Sequence, residues 1–187
     1  MKRLIEYIAR FTEVNPALEQ EILKRFEYES YKRHEHILEV GRTCRKLYFV
    51  NSGTIRTYYL KEDREITSWI YPENDFVTLW SSFLMRTPSV EYIQAISKVE
   101  VFSISYDKLQ ELYALSPQME SFGRQLMEMQ IAFLDEISRE FSFATAQFKY
   151  ERLLELFPDI IQIASLGHIA SILGISQETL SRIRKNK

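Results

Sequence analysis

The sequence predicts an α+β chain: a small jelly-roll of short strands, then a helical half that closes on a helix-turn-helix. Three observations carry this. Residues 47–60 (LYFVNSGTIRTYYL) and 66–71 (ITSWIY) are dense in the β-branched and aromatic side chains that sheets favour. Beyond residue 105 the apolar residues recur at three- and four-residue steps, the helical period. Between Gly167 and Lys185 two short amphipathic segments flank a glycine, as helices crossing at a tight turn require.

The chain opens with two helices. Leu4, Ile5, Ile8 and Phe11 share one face, and Asn15-Pro16 supplies an N-cap with proline at the first helical position of a second helix ending at Arg25 or Phe26. From Tyr28 to Ser105 short apolar stretches alternate with turn signals at Val40-Gly41, Asn51-Ser52-Gly53 and Pro72-Glu73-Asn74-Asp75, the spacing of a compact barrel or jelly-roll. Within it Phe76 to Met85 reads as a short helix, and Val90–Ala95 and Val99–Ile104 as the last strands. Leu109, Leu112 and Leu115 end another short helix, and Ser116-Pro117 caps a long one reaching Phe141. Its apolar stripe includes Met119, Phe122, Leu126, Met129, Phe133, Ile137 and Phe141 and needs a partner. The roll itself and a parallel helix of a second copy both satisfy it. Ser142 to Gln147 is the expected hinge, followed by a helix from Tyr150 to Phe157. The resulting division is a roll at 1–115, a linking helix at 116–141 and a C-terminal unit at 142–187.

Of the 187 residues 45% are apolar and 27% charged, enough for a real core. The single cysteine, Cys44, permits neither an internal disulfide nor a cysteine-rich metal or redox cluster, and fits a reducing cytoplasm. No apolar run approaches the ~20 residues that span a bilayer, and MKRLIEYIARF is a charged amphipathic start, so no membrane partner is expected. The net charge of −2 does not by itself suggest a polyanionic partner, but its distribution does. Arg182, Arg184, Lys185 and Lys187 against Glu178 make the last twelve residues +3 and leave −5 for the rest. An acidic body with a basic tip lets one face alone meet phosphate.

In the segment SLGHIASILGISQETLSRIRKNK, Leu166, Ile169, Ala170 and Leu173 face inward, Gly174 takes the turn, and Ser176 caps a second helix. That helix offers Gln177, Glu178, Ser181 and Arg182 as base-reading residues: Arg pairs with guanine, Gln with adenine, and Glu accepts from cytosine. Ser176, Thr179, Arg184, Lys185, Lys187 and His168 are expected at phosphates.

At these residues the sequence resembles the catabolite-activator/FNR (CRP/FNR) family of bacterial transcriptional regulators. The family pattern of Ala in the first helix, Leu-Gly at the turn, then Ser-x-Glu-Thr-x-x-Arg is met by Ala170, Leu173-Gly174, Ser176, Glu178, Thr179 and Arg182. The resemblance implies a cyclic-nucleotide-binding-type β-roll with its Asn51-Ser52-Gly53 hairpin, a dimerisation helix and a C-terminal DNA-binding unit. It further implies a cytoplasmic homodimer on near-palindromic double-stranded DNA, with RNA polymerase a partner if it activates. Phe122, Leu126, Met129, Phe133 and Ile137 then become the dimer stripe.

Two departures shape the expectation. Relatives that bind cyclic AMP carry a Gly-Glu pair and an Arg-Ser pair around the cyclic phosphate; here Phe76-Val77-Thr78 and Pro88-Ser89 stand in those places. With Arg86 nearby, the effector pocket is expected around Phe76, Thr78, Arg86 and Ser89, for a small molecule other than cyclic AMP. The sequence also ends at Lys187 without a β-wing, like the shortened form common in Bacteroidetes, so a salt-sensitive complex is expected. A ligand-sensing roll with vestigial DNA binding is the alternative.

His34 and His36 read as a solvated strand face, and Cys44 as inert. The sequence contains no catalytic triad, P-loop, dinucleotide fingerprint or zinc-protease motif, so no catalytic residue, metal or cofactor is assigned and an enzyme is not expected.

Overall fold

The structure is a computed structural model and describes residues 1–185. Two helices open it, α1 (Lys2–Ile8) and α2 (Pro16–Arg25). Asn15 Oδ1 accepts the Leu18 amide at 2.9 Å, and Pro16 occupies a first-turn position where no amide proton is needed. Leu4, Ile8, Leu18 and Ile22 enter the core.

The strands are β1 (Glu27–Tyr31), β2 (His36–Leu38), β3 (Lys46–Ser52), β4 (Ile55–Lys61), β5 (Arg64–Tyr71), β6 (Phe76–Val77), β7 (Tyr92–Ala95) and β8 (Val99–Ser105). They form two antiparallel four-stranded sheets, ordered β1-β8-β3-β6 and β2-β7-β4-β5. Phe49, Val50, Ile55, Ile93 and Val101 are fully buried in the core. The turn from β3 to β4 demands glycine: Gly53 has φ +86°, and a Cβ there would lie 2.1 Å from the Lys98 carbonyl oxygen.

The helix expected over Phe76–Met85 is shorter than the sequence suggests. Phe76 and Val77 pair instead with Phe49 and Tyr48 of β3, which satisfies their buried backbone, and helix α3 spans only Trp80–Met85. The strand expected from Val90 begins at Tyr92, and Val90 is exposed. His34 and His36 do not share a solvated strand face. His34 sits in a turn at φ +70°, whereas His36 Nε2 meets the Tyr58 hydroxyl at 2.8 Å.

Helix α4 (Tyr106–Leu115) is capped by Ser105, and α5 (Pro117–Phe143) by Ser116 with Pro117 at its first position. Met119, Phe122 and Leu126 are buried in the roll's core, so Phe122 and Leu126 are not available to a second copy. Phe133 continues the contact, its ring edge-on to Trp69 at 5.4 Å. The expected dimer stripe is therefore turned inward over its first half. Its period is helical, as read, but the roll is its partner there.

A break at 144–145 leads into α6 (Ala146–Leu156), α7 (Ile160–Ile163), α8 (Leu166–Leu173) and α9 (Gln177–Lys185). Thr145 caps α6 by accepting the Phe148 amide at 3.2 Å. Arg152 reaches back across the break to Glu136 at 2.6 Å and Glu140 at 2.8 Å, and also meets Glu155 at 3.3 Å. A second core joins Tyr150, Leu153, Ile169 and Leu180 to Ile70 and Ile96 of the roll. Ser171 Oγ accepts the Thr67 amide at 2.7 Å, binding α8 to β5. Among the described residues no helix is long and apolar enough to cross a membrane.

The Arg152 cluster is partly solvent-facing, so its hold on the break should weaken with salt. Arg152→Gln is expected to speed amide exchange over residues 143–148 while the strands keep their protection. Hydrogen-exchange mass spectrometry checks this, and unchanged exchange would show that the staple does not hold the helices together.

Candidate functional site

Ser165 starts α8 by accepting the His168 amide at 3.2 Å, and Gly174 ends it at φ +65°, ψ +34°. The Ile175 amide returns to the Ala170 carbonyl at 3.0 Å, so the chain reverses within three residues. Ser176 Oγ then accepts the Thr179 amide at 3.2 Å and begins α9. Leu180 and Ile183 are buried against the neighbouring helices, which turns the opposite face of α9 outward.

On that outward face the structure brings together the expected reading set. Gln177, Glu178, Ser181 and Arg182, with Lys185 and Leu166, line one shallow depression. Gln177 lies against the start of α8, where a Cβ added to Gly167 would approach its Nε2 to 3.0 Å. The Glu178 carboxyl is held below its usual range by its own amide and by the Ser176 hydroxyl at the helix N-terminus. Arg184 is exposed, Thr179 is half-buried, and Ser176 is exposed while capping the helix. Lys187 lies outside the described residues.

His168 is the exception among the expected phosphate contacts. It faces the roll: desolvation first, then the Arg56 charge, depresses its pKa to about 4, and its Nδ1 finds no hydrogen-bond partner among the described residues. The docking of α8 on β5 is what places it inward.

A second feature is a cavity of about 960 Å³ between the roll, α5 and the C-terminal unit. Phe76, Thr78 and Ser89 line it as expected, although Thr78 Oγ1 donates to the Lys46 carbonyl and Ser89 Oγ to that of Glu91. Arg86 does not reach it. Its guanidinium pairs with Asp107 at 3.3 Å and lies over the Tyr106 ring. Met129, Phe133 and Ile137, three of the expected dimer residues, line the cavity, and Met129 is half exposed. Asp75 and Trp69 also line it, and sequence reasoning missed both. Asp75 passes for a turn residue, and Trp69 for one more aromatic in a strand.

Residues 28–116 match the model of the cyclic nucleotide-binding domain. The chain is 25% identical over 177 residues to the anaerobic regulatory protein of Pasteurella multocida, covering 81% of this chain and 59% of that protein. It thus spans about three-fifths of that relative's length. FixK2 of Bradyrhizobium japonicum superposes with a TM-score of 0.71 at 21% identity, over 86% of this chain and 83% of that one. The c-di-GMP-responsive global regulator CLP of Xanthomonas campestris gives 0.68 at 20%, over 92% and 91%. Likeness at these identities speaks for the fold.

A cyclic-nucleotide-binding-type roll joined by one long helix to a C-terminal unit of four helices, the last two meeting at the Gly174 turn, defines the class. Over residues 28–116 the chain carries a cyclic nucleotide-binding domain, and across its length it is similar to regulators of the CRP/FNR type.

The burial of His168 has a pH signature. Because its folded pKa, about 4, lies below the ~6.5 of a free imidazole, the fold favours the neutral ring. That contribution is complete above about pH 6.5 and is lost as the pH falls toward 4. Amide exchange in α8 is expected to rise across this window, and His168→Gln is expected to flatten the change.

Proposed function

We propose that the protein is a homodimeric, sequence-specific DNA-binding transcriptional regulator that reads a near-palindromic site. The observation that carries this is α9: its apolar side is spent on the core, while Gln177, Glu178, Ser181, Arg182 and Lys185 share the free face. A helix presented in this way fits the major groove, with its N-terminal side chains at base edges. Arg182 is suited to bidentate contact with guanine, and Lys185 and Arg184 to phosphates. The net −5 of residues 1–175 repels DNA from the rest of the molecule.

The dimer requires a face of α5 that the roll has not already taken. Met127, Ile131, Leu134, Ser138 and Phe141 follow four- and three-residue steps, the heptad spacing of a coiled-coil seam, about a third of a turn from the stripe spent on the roll; Met127 and Ile131 lie clear of the large cavity, while Leu134, Ser138 and Phe141 also border it. Ile131 and Leu134 are 63% and 57% exposed. A second copy related by a two-fold axis would cover this seam and set two α9 helices against half-sites about 34 Å apart.

Selection of bound duplexes from a random pool tests the reading. Wild type is expected to enrich an inverted repeat, and Arg182→Ala to relax one position of each half-site at a cost of about 1–3 kcal/mol. No enrichment at low salt would count against it. Light scattering tests the seam: Ile131→Glu with Leu134→Glu is expected to give a folded monomer. Phe122→Glu should unfold the roll instead, by burying a charge in an apolar core.

A further inference from the structure

The lining of the large cavity carries negative charge and no cationic side chain among the described residues. Among the described residues none of those lining it is Lys, Arg or His, whereas Asp75 and Glu91 both are carboxylates. Glu91 is occupied, since it accepts the Ser68 hydroxyl and its amide is held by Ser89 Oγ at 3.0 Å. Asp75 is not: among the described residues its carboxylate makes no hydrogen bond and no ion pair, and desolvation alone lifts its pKa to about 6. Its backbone is fixed, because the Val50 amide donates to its carbonyl at 2.9 Å and the Asn74 amide to the Val50 carbonyl at 2.8 Å. The acceptor is therefore held in place and not left on a free loop.

Around it the walls are aromatic. Eight of the lining residues are Phe, Tyr or Trp, with Trp69 flanked edge-on by Phe133 at 5.4 Å and Phe157 at 5.7 Å. The volume, about 960 Å³, is at the upper end of small-molecule sites. Aromatic faces favour apolar rings and cations alike, and a desolvated carboxylate without a partner calls for a donor or a positive charge. A cyclic phosphate entering here would meet two carboxylates and no cation to neutralise it.

We propose that this cavity binds a ring-bearing organic amine, its apolar body among Trp69, Phe133 and Trp80 and its nitrogen at the Asp75 carboxylate. The inference names the effector class of the regulator proposed above. It is tested without DNA, so that either can fail alone.

Titration calorimetry of the full chain with naphthylethylamine, naphthylacetate and cyclic AMP is the experiment. The first two share a ring system and differ in the sign of their charge at neutral pH. The amine is expected to bind at least about tenfold more tightly than either anion, the ratio that 1.4 kcal/mol produces. Asp75→Asn is expected to erase that preference. The variant remains a fair test because it should fold better at neutral pH. With a folded pKa of about 6 against 3.8 unfolded, the charged carboxylate is a penalty that is absent below about pH 3.8 and grows as the pH rises through 6. Asp75→Asn should accordingly melt higher at pH 7 and like the wild type near pH 4. Equal or tighter binding of naphthylacetate or cyclic AMP, no binding of the amine, or an unaltered preference in Asp75→Asn would each overturn the proposal.

Discussion

Helix α5 is the element on which the rest of the molecule depends, because it carries apolar side chains over more of its circumference than one neighbour can cover. Its first turns close the roll's core through Met119, Phe122 and Leu126. Farther along, Phe133 rests on Trp69, and Glu136 and Glu140 hold Arg152 of α6. One helix of 27 residues therefore fixes where the roll ends and where the C-terminal unit begins. Burial of the large apolar side chains drives the first contact, at roughly 1.5–3 kcal/mol for each one fully removed from water. The ion pairs that follow are oriented but solvent-facing, and serve direction more than stability.

Strand β5 completes the link from the other side. Thr67 gives its amide to Ser171 of α8, and Ile70 belongs to the core of the C-terminal unit. Trp69 and Tyr71, which alternate with Ile70 along the strand, line the cavity. The period of two places one strand between a ligand-sized space and the helix that positions α9. A ligand that displaced Trp69 would thus act on a strand that the C-terminal unit already grips. Any coupling between the cavity and α9 would run through this shared strand, since a ligand shifts a conformational equilibrium only as far as its contacts differ between states.

Much of this was legible in the sequence wherever a residue type has one local use. Asn15-Pro16 and Ser116-Pro117 start helices, and Gly174 ends one in the left-handed conformation. The α9 pattern separates Leu180 and Ile183 from the polar face without reference to anything else. Legibility failed where a side chain's role is set by a distant partner. The apolar period of α5 shows that a face is buried but not against what, so Phe122 and Leu126, spent on the roll, read as part of a dimer stripe. Phe76 and Val77 continue a helical pattern on paper and become a strand because β3 offers an open edge. His168 is amphipathic by nature, and only the docking of α8 on β5 decides that it faces the roll.

Asp75 belongs to the same class of hidden residue, and the physics of its position sharpens what it implies. Turn signals such as Pro72-Glu73-Asn74-Asp75 ordinarily leave an aspartate in water, where it costs nothing. Here β6 follows at once and draws Phe76 into the core, which carries Asp75 down beside Tyr7, whose own pKa rises through burial and the nearby carboxylate. A residue in that place could be neutral at no cost to the turn, so the charge is a burden the fold does not need. Sites where local chemistry disagrees with the surrounding structure are where function is usually found. The disagreement at Asp75 is of a kind that a donor or a cation would relieve, and it lies on the wall shared by the roll and α5.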